Sequence, residues 1–178
     1  MNRQSPEPNN LQNLGKGMTY AAWIVVLGLL TLLFNEFLEE QANPNRQVQS
    51  AVSDQGMVEV RLQRNRAGHY VANGGINGRQ VVFLVDTGAT DVAVPGRVAR
   101  RLGLEQGRPV ASRTANGVAE AYATRLDSVE LGKIRLRDVQ ATILPGMDGA
   151  EVLLGMSFLK RLELIQRGDQ LTLRAYPG

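Results

Sequence analysis

The sequence predicts a small all-β domain with one or two short helices, preceded by a single transmembrane helix. An uncharged apolar segment, residues 18–34, lies near the N-terminus. After residue 57, apolar and polar residues alternate with the period of half-buried strands. Turns that contain glycine separate these segments, and a helical pattern is limited to residues 97–102 and 156–162. About 120 residues therefore belong to one β-rich domain.

The N-terminal segment has the length and composition of a membrane anchor. Residues 1–17 are polar and rich in proline and asparagine, which predicts a cytoplasmic tail without regular structure. Residues 18–34 would span roughly 26 Å as a helix, about the thickness of a bilayer's hydrocarbon core. Tyr20 and Trp23 have the amphipathic rings that suit a membrane interface. We therefore predict a transmembrane anchor at residues 18–35.

Two other interpretations of this segment compete with the anchor. A cleaved signal peptide would have a shorter apolar region followed by small residues, whereas NEFLEE, residues 35–40, follows here. A buried core helix would need other helices of similar length around it, and no such amphipathic segment follows. The anchor is the interpretation that fits both flanks.

Flanking charges predict the orientation. Arg3 and Lys16 precede the apolar segment, whereas Glu36, Glu39 and Glu40 follow it. Basic residues favour the cytoplasmic side, so we expect a cytoplasmic N-terminus. The protein would then be a single-pass protein of the inner (cytoplasmic) membrane, with its C-terminal domain in the periplasm or otherwise extracytoplasmic.

The remainder divides into a linker and the β-rich domain. Residues 36–56 are mostly polar and predict a flexible linker, and the domain is expected at residues 57–178. Asn77-Gly78 is the strongest hairpin signal, because both positions accept positive φ. The predicted strand pairs are 69–76 with 79–85, 126–131 with 134–144, and 162–166 with 170–174.

The composition excludes several kinds of site. The chain has no cysteine, so it has neither a disulfide framework nor a cysteine nucleophile. His69 is the only histidine, so a histidine-rich zinc site cannot be built within one chain. It lies at the start of a predicted strand. The net charge is only +3, and no basic run is interleaved with aromatic residues, which argues against nucleic acid as a partner. We expect no metal or other cofactor, and a hydrolase of this composition would work with carboxylates.

One carboxylate stands out at the end of a strand. Four apolar residues, 82–85, are followed by Asp86, Thr87, Gly88 and Ala89. A carboxylate in this position is costly unless it is paired, hydrogen-bonded or functional. Gly88 permits a sharp turn that can point N–H groups at the carboxylate. Taken alone, the tripeptide Asp-Thr-Gly is more typical of an ordinary Asx turn that closes a strand.

A second motif lies downstream. Leu153, Leu154 and Gly155 follow an apolar stretch and precede the predicted short helix. By itself this pattern is typical of any strand-to-helix junction.

Together, the two motifs resemble those of the retropepsin-like (retroviral-type) aspartic proteases, specifically the bacterial branch with one membrane anchor. Residues 68–90, GHYVANGGINGRQVVFLVDTGAT, are similar to the opening hairpin and catalytic strand of that branch. The resemblance covers about residues 57–178 and implies a small, closed-barrel-like acid protease domain. It also implies that the Leu153-Leu154-Gly155 element crosses behind the catalytic loop.

The resemblance implies a mechanism that needs two aspartates. The chain has one Asp-Thr-Gly, so a homodimer would bring together Asp86 of each chain, with Thr87, Gly88 and Ala89 supporting the loop. Two carboxylates this close share one proton and activate a water that attacks the peptide carbonyl. A peptide or protein is the implied substrate, and no metal or covalent intermediate is involved.

Residues 108–125 occupy the position of the family's flap, a hairpin that closes over substrate. Its tip would be formed by Thr114, Ala115, Asn116 and Gly117.

The sequence departs from retroviral enzymes at two linked positions. Those enzymes usually pair an acidic residue, where Thr90 stands, with an arginine, where Met156 stands. About 20 residues also follow the short helix, so dimerisation through chain ends, as in the retroviral enzymes, is not expected to carry over directly.

Two functional hypotheses follow. The first is a membrane-anchored aspartic endopeptidase that acts as a homodimer. The alternative is a non-proteolytic peptide-binding or dimerisation module of the same fold, in which Asp86 is vestigial. The intact Asp-Thr-Gly-Ala sequence favours the first hypothesis. A β-domain unrelated to proteases is disfavoured by the presence of both motifs.

Overall fold

The computed structural model describes residues 9–114 and 117–177, without the side chains of residues 9–16, 36 and 112–118. The chain separates into two compact units, one ending at Glu40 and one beginning at Gln41.

The described part of the first unit is helical. Helix α1 extends over Asn9–Ala42. Its part Gly17–Ala42 has a mean hydropathy of 2.0 in its most apolar 18-residue window and is long and apolar enough to cross a membrane. No residue of that window is buried in the described structure, unlike the residues of a core helix, whereas a signal sequence would share these properties. The helix extends beyond the predicted residues 18–35 at both ends. At the C-terminal end this follows from Glu, Leu, Gln and Ala in the last turns, which are strong helix formers.

The second unit is mostly β-structure, which confirms the predicted class. Its elements in chain order are β1 (Gln49–Val52), β2 (Val58–Gln63), β3 (Val71–Ile76), β4 (Arg79–Val85), β5 (Val92–Pro95), α2 (Gly96–Leu102), β6 (Pro109–Thr114), β7 (Gly117–Leu131), β8 (Ile134–Leu144), β9 (Glu151–Leu154), α3 (Met156–Leu159), β10 (Glu163–Arg167) and β11 (Gln170–Ala175).

The strands form two sheets. The larger has the order β3-β4-β9-β5-β8-β7-β6, and an additional pairing of β3 with β7 joins six of its strands in a closed cycle. The smaller has the order β1-β2-β11-β10. Its inward side chains, among them Leu62 and Leu173, belong to the same buried cluster as Phe83 and Phe158 of the larger sheet and α3. One continuous core therefore supports both sheets.

The three predicted hairpins are confirmed. In the first, Asn77 and Gly78 both have positive φ, 51° and 75°, as a two-residue turn between β3 and β4 requires. The other two join β7 to β8 and β10 to β11. Strand β7 is longer than predicted, α3 is shorter, and β5 was not predicted, because four apolar residues carry no clear period.

The predicted flexible linker, residues 36–56, needs correction. Its first part continues α1, its last part contains β1 paired with β2, and Asn45 between them is buried. Polar composition suggested a free tether, but these polar groups are hydrogen-bonded to the domain. Composition counts a buried, fully hydrogen-bonded asparagine and an exposed one alike, so the sequence alone could not distinguish a docked segment from a free one.

Candidate active site

The Asp-Thr-Gly loop crosses the end of a strand inserted between its two neighbours. Strand β9 lies between β4, to which it is parallel, and β5, to which it is antiparallel. The chain leaves β4 at Val85 and must pass over the end of β9 to enter β5 at Val92. The backbone N–H of Asp86 donates to the carbonyl of Leu154 at 3.2 Å. The two motifs, 65 residues apart, are therefore in direct contact.

The carboxylate of Asp86 is held by its own loop. The N–H of Gly88 donates to its Oδ1 at 2.8 Å, and the N–H of Ala89 donates to the backbone carbonyl of Asp86 at 3.3 Å. Among the described residues no donor is recorded for Oδ2. Asp86 is half-buried, whereas Thr87 and Gly88 are exposed. Oδ1 of Asp86 is thus fixed by a hydrogen bond, while the side chain stays accessible beside the exposed Thr87 and Gly88.

Gly155 lets the short helix approach this loop closely. A Cβ at residue 155 would collide with the carbonyl oxygen of Asp91 and would lie 2.7 Å from that of Ala89. Because no side chain intervenes, the N–H of Met156 donates to Ala89 at 2.8 Å, and the N–H of Ser157 donates to Thr90 at 2.9 Å. The first turn of α3 therefore holds the second half of the Asp-Thr-Gly loop.

Ser157 ties three elements together, a role that the sequence analysis missed. Its buried hydroxyl donates to the carbonyl of Gln140 at 2.7 Å and accepts from the N–H of Val92 at 3.0 Å. These bonds connect α3, β8 and the start of β5. A serine among the apolar residues of MSFL was the available signal, since a buried hydroxyl needs partners.

The loop is held to α3 without the ion pair that the resemblance to retroviral enzymes would lead one to expect. Thr90 and Met156 carry no charges that could brace the loop. Backbone hydrogen bonds to Ala89 and Thr90, together with the Ser157 hydroxyl, make the connection instead. The loop is therefore fixed to α3 without a charged pair.

Leu153 and Leu154 point to opposite faces of the sheet, as successive residues of a strand must. Leu154 belongs to the main core, whereas Leu153 packs against a second cluster formed by Ala93, Ala121 and Leu144. Val110 and Ala119, from the two strands of the predicted flap, pack against the same cluster. The base of this hairpin is thus in apolar contact with the strand that crosses behind Asp86.

The predicted flap is a hairpin of β6 and β7. Its pairing runs from Pro109 with Tyr122 to Thr114 with Gly117. Ala115 and Asn116, the predicted tip, lie outside the described residues. The Tyr122 hydroxyl donates to Glu120 at 2.8 Å, and this hydrogen bond raises the pKa of the tyrosine.

No group of three or more potential metal ligands occurs among the described residues. His69 is exposed at the approach to β3 and lies in neither motif.

Comparison with known proteins identifies the family. Residues 72–161, half of the chain, match the family described as "gag-polyprotein putative aspartyl protease". A Sinorhizobium sp. protein, described as uncharacterized and in the cobV 5′ region, is 33% identical over 174 residues, which cover 90% of this chain and 74% of that protein. An uncharacterized protein of Rickettsia prowazekii is 32% identical over 109 residues, which cover 59% of this chain and 46% of that protein.

A solved structure shows the same fold. A retropepsin-like aspartic protease from Rickettsia conorii superposes with a TM-score of 0.56 at 29% identity, covering 72% of this chain and 94% of that chain. Residues 72–161, which match the family model, include the Asp-Thr-Gly loop, the inserted strand β9 and helix α3. This chain therefore belongs to the retropepsin-like aspartic protease family.

Proposed function

We propose that the protein is a membrane-anchored aspartic endopeptidase that acts as a homodimer. The observation that carries this proposal is the position of Asp86 in a loop fixed by β9 and α3, with Thr87 and Gly88 exposed beside it. A vestigial loop would not need Gly155, Ser157 and a fixed carboxylate oxygen in this arrangement. The family membership of the chain supports the same reaction class.

The proposed reaction uses one Asp86 from each chain. The two carboxylates hold one proton between them, because two negative charges that both contact one water molecule repel strongly. The ionised carboxylate takes a proton from a water molecule, whose oxygen attacks the carbonyl carbon of the peptide bond. The protonated carboxyl group hydrogen-bonds the carbonyl oxygen and transfers its proton as the tetrahedral intermediate forms. As the carbon–nitrogen bond breaks, the amine takes the proton that the first carboxylate removed from water. The second carboxylate recovers a proton from a hydroxyl of the intermediate, so the pair again holds one proton.

We propose that the dimer contact centres on the two catalytic loops. The last two strands pair with each other, and β11 also pairs with β2 of the same chain. The chain ends of one molecule are therefore already used within it, which supports a contact elsewhere. The exposed Thr87 lies beside the half-buried Asp86, where a twofold axis through the loops would place the second chain.

A mixing experiment tests both the carboxylate and the dimer. Wild-type and Asp86→Asn full-length chains, co-purified in detergent in equal amounts, should form wild-type pairs in about one quarter of all dimers. Cleavage of casein, an unstructured protein, should then fall to about one quarter of the rate of the same total amount of wild type. Asp148→Asn is the matched control, because Asp148 is exposed and outside both motifs, and its mixtures should keep full activity.

Two outcomes would contradict the proposal. Cleavage in proportion to the wild-type chains alone, with no loss from mixed pairs, would show that each chain acts independently. Full cleavage by pure Asp86→Asn would show that the carboxylate is not catalytic. If wild type cleaves nothing although it dimerises, the non-proteolytic module is the better description.

We also propose that α1 anchors the protein in the inner membrane, with the N-terminus in the cytoplasm. Arg3 and Lys16 before the apolar segment and the glutamates after it support this orientation. An external protease should digest the second unit in cells whose outer membrane has been removed. Digestion only after lysis of the inner membrane would reverse the orientation, and release of the domain from the membrane fraction would favour a cleaved signal sequence.

A further inference from the structure

The chain is fastened to the catalytic domain immediately after α1, at residues 42–46, here called the clip. Asn45 in the clip is 4% exposed. Its Nδ2 donates to the carbonyls of Gln63 at 2.9 Å and Val71 at 2.7 Å, and its Oδ1 accepts from the N–H of Gln63 at 2.7 Å. Every hydrogen-bonding atom of this amide is therefore used to join the clip to β2 and β3.

Three further asparagines extend this network. The Asn43 side chain donates to Asn73 at 2.9 Å and accepts from the backbone N–H of Asn45 at 3.1 Å. The Asn73 side chain donates to the carbonyl of Arg46 at 3.1 Å, and its backbone N–H donates to Asn45 at 3.2 Å. The Asn65 side chain donates to the carbonyl of Ala42 at 3.0 Å. The clip is thus part of the domain, and it begins where α1 ends.

The pairing register gives the distance from the clip to the catalytic loop. Asn45 bridges to Ala72 in β3, and Ala72 pairs with Phe83 in β4, three residues before Asp86. Two strand spacings of about 4.8 Å and three residues of about 3.3 Å give a separation of roughly 14 Å. The catalytic loop therefore lies close to the point where the chain enters the domain.

Chain length limits the distance from the clip to the proposed membrane. Residues 35–42, after the apolar segment, are all helical and rise by about 12 Å. The three residues from Ala42 to Asn45 add at most about 10 Å, so chain length alone limits the distance from Phe34 to Asp86 to roughly 36 Å. A free linker of residues 36–56 would instead have allowed roughly 70 Å when extended.

From this we infer the substrate class, an inference that rests on the proposed function. We propose that the protein cleaves polypeptides anchored in the same membrane, within about ten extended residues of their own anchor, since ten residues reach roughly 33 Å. Soluble chains and segments far from the membrane would meet the site only by three-dimensional diffusion. Anchored segments that lie as far from the membrane as Asp86 does are held near the site at a much higher effective concentration.

Reporters reconstituted with the full chain in lipid vesicles test this class. One reporter carries a casein segment about five residues from its transmembrane helix, a second carries it about forty residues away, and free casein is the third. Wild type should cut the near reporter at least about tenfold faster than the far one. Inserting twenty Gly/Ser residues between Gln41 and Ala42 leaves the clip intact and should bring the two rates to within about twofold.

Point variants separate the clip from the linker length. Asn45→Ala should reduce the near-to-far ratio, whereas Gln47→Ala, at an exposed neighbour for which the structure records no hydrogen bond, should keep it. Equal cutting of near and far reporters by wild type would overturn the inference. An unchanged preference in the insertion variant, which retains a folded domain, would overturn it as well.

A distance measurement gives a result even without proteolysis. The chain has no cysteine, so Thr87→Cys provides one site for a donor dye, with acceptor dyes on lipid headgroups. Energy transfer should be strong in this variant and should fall when the Gly/Ser segment is added. Equal transfer in both would show that the clip does not fix the height. If the unlabelled wild type cleaves no reporter but the energy transfer changes as expected, the endopeptidase proposal is refuted. The inference that the clip fixes the height of the loop would then still stand.

Discussion

Replacement of Gly155 by alanine tests whether α3 holds the catalytic loop in place. The backbone of Gly155, with φ −89° and ψ −172°, is open to alanine, so the cost is steric and not conformational. A methyl group at residue 155 would collide with the carbonyl of Asp91 and lie 2.7 Å from that of Ala89. Both are backbone atoms, which cannot rotate away as a flexible side chain could.

The size of the effect follows from two opposing contributions. Overpacking a buried site costs about 3 kcal/mol when the backbone must move. Loss of glycine restricts the unfolded chain and returns about 0.7 kcal/mol, so the net destabilisation should be about 2 kcal/mol. Displacement of the loop by a few tenths of an ångström should also disturb the carboxylate position and reduce activity by about 100-fold.

Gly146→Ala is the matched control, because no atom lies within 4 Å of the added Cβ and its φ is not positive. Calorimetry of the full chains in detergent should place the melting temperature of Gly155→Ala roughly 10 °C below that of Gly146→Ala. Casein cleavage should be lost only in Gly155→Ala. Equal melting temperatures and equal activity for the two variants would refute the proposed bracing of the loop.

Three further predictions follow from the same geometry. Ser157→Ala removes the hydroxyl that bonds to the N–H of Val92 and to the carbonyl of Gln140. Chemical denaturation should show a free energy of unfolding lower by about 2 kcal/mol. An unchanged value would show that the hydroxyl does not brace the loop. Hydrogen bonds from Arg174 and then Arg61 lower the pKa of Glu59, so their stabilisation is present above the ordinary glutamate pKa and is lost as pH falls. Wild type should therefore lose more stability than Glu59→Gln between about pH 5 and about pH 3, and parallel curves would contradict this role. In the proposed dimer the two carboxyl groups must hold one proton, so proteolytic activity should fall on both the acid and the alkaline side of an acidic optimum. A rate that rises steadily into alkaline pH would indicate another mechanism.

Local chemistry made much of the fold predictable. Asn77-Gly78 fixes a turn by its own backbone preferences, and the flanking alternation then determines which residues face the core. The same reasoning found the hairpins at Gly132 and Gly168. Asp86 was predictable for a related reason, because a carboxylate that ends an apolar strand is unusual in any context.

The tertiary structure alone decided what surrounds that carboxylate. Insertion of β9 between β4 and β5 joins segments more than fifty residues apart, and no local pattern encodes such a pairing. Ser157 and Asn45 could be recognised as connectors only once the chain was folded, because the partners of a buried polar group are set by distant backbone atoms. The sequence by itself determined the turns and the strand faces, and it identified Asp86 as the candidate catalytic residue. The folded chain decided how firmly the loop is held and where the domain begins, since both depend on contacts between residues that are remote along the chain.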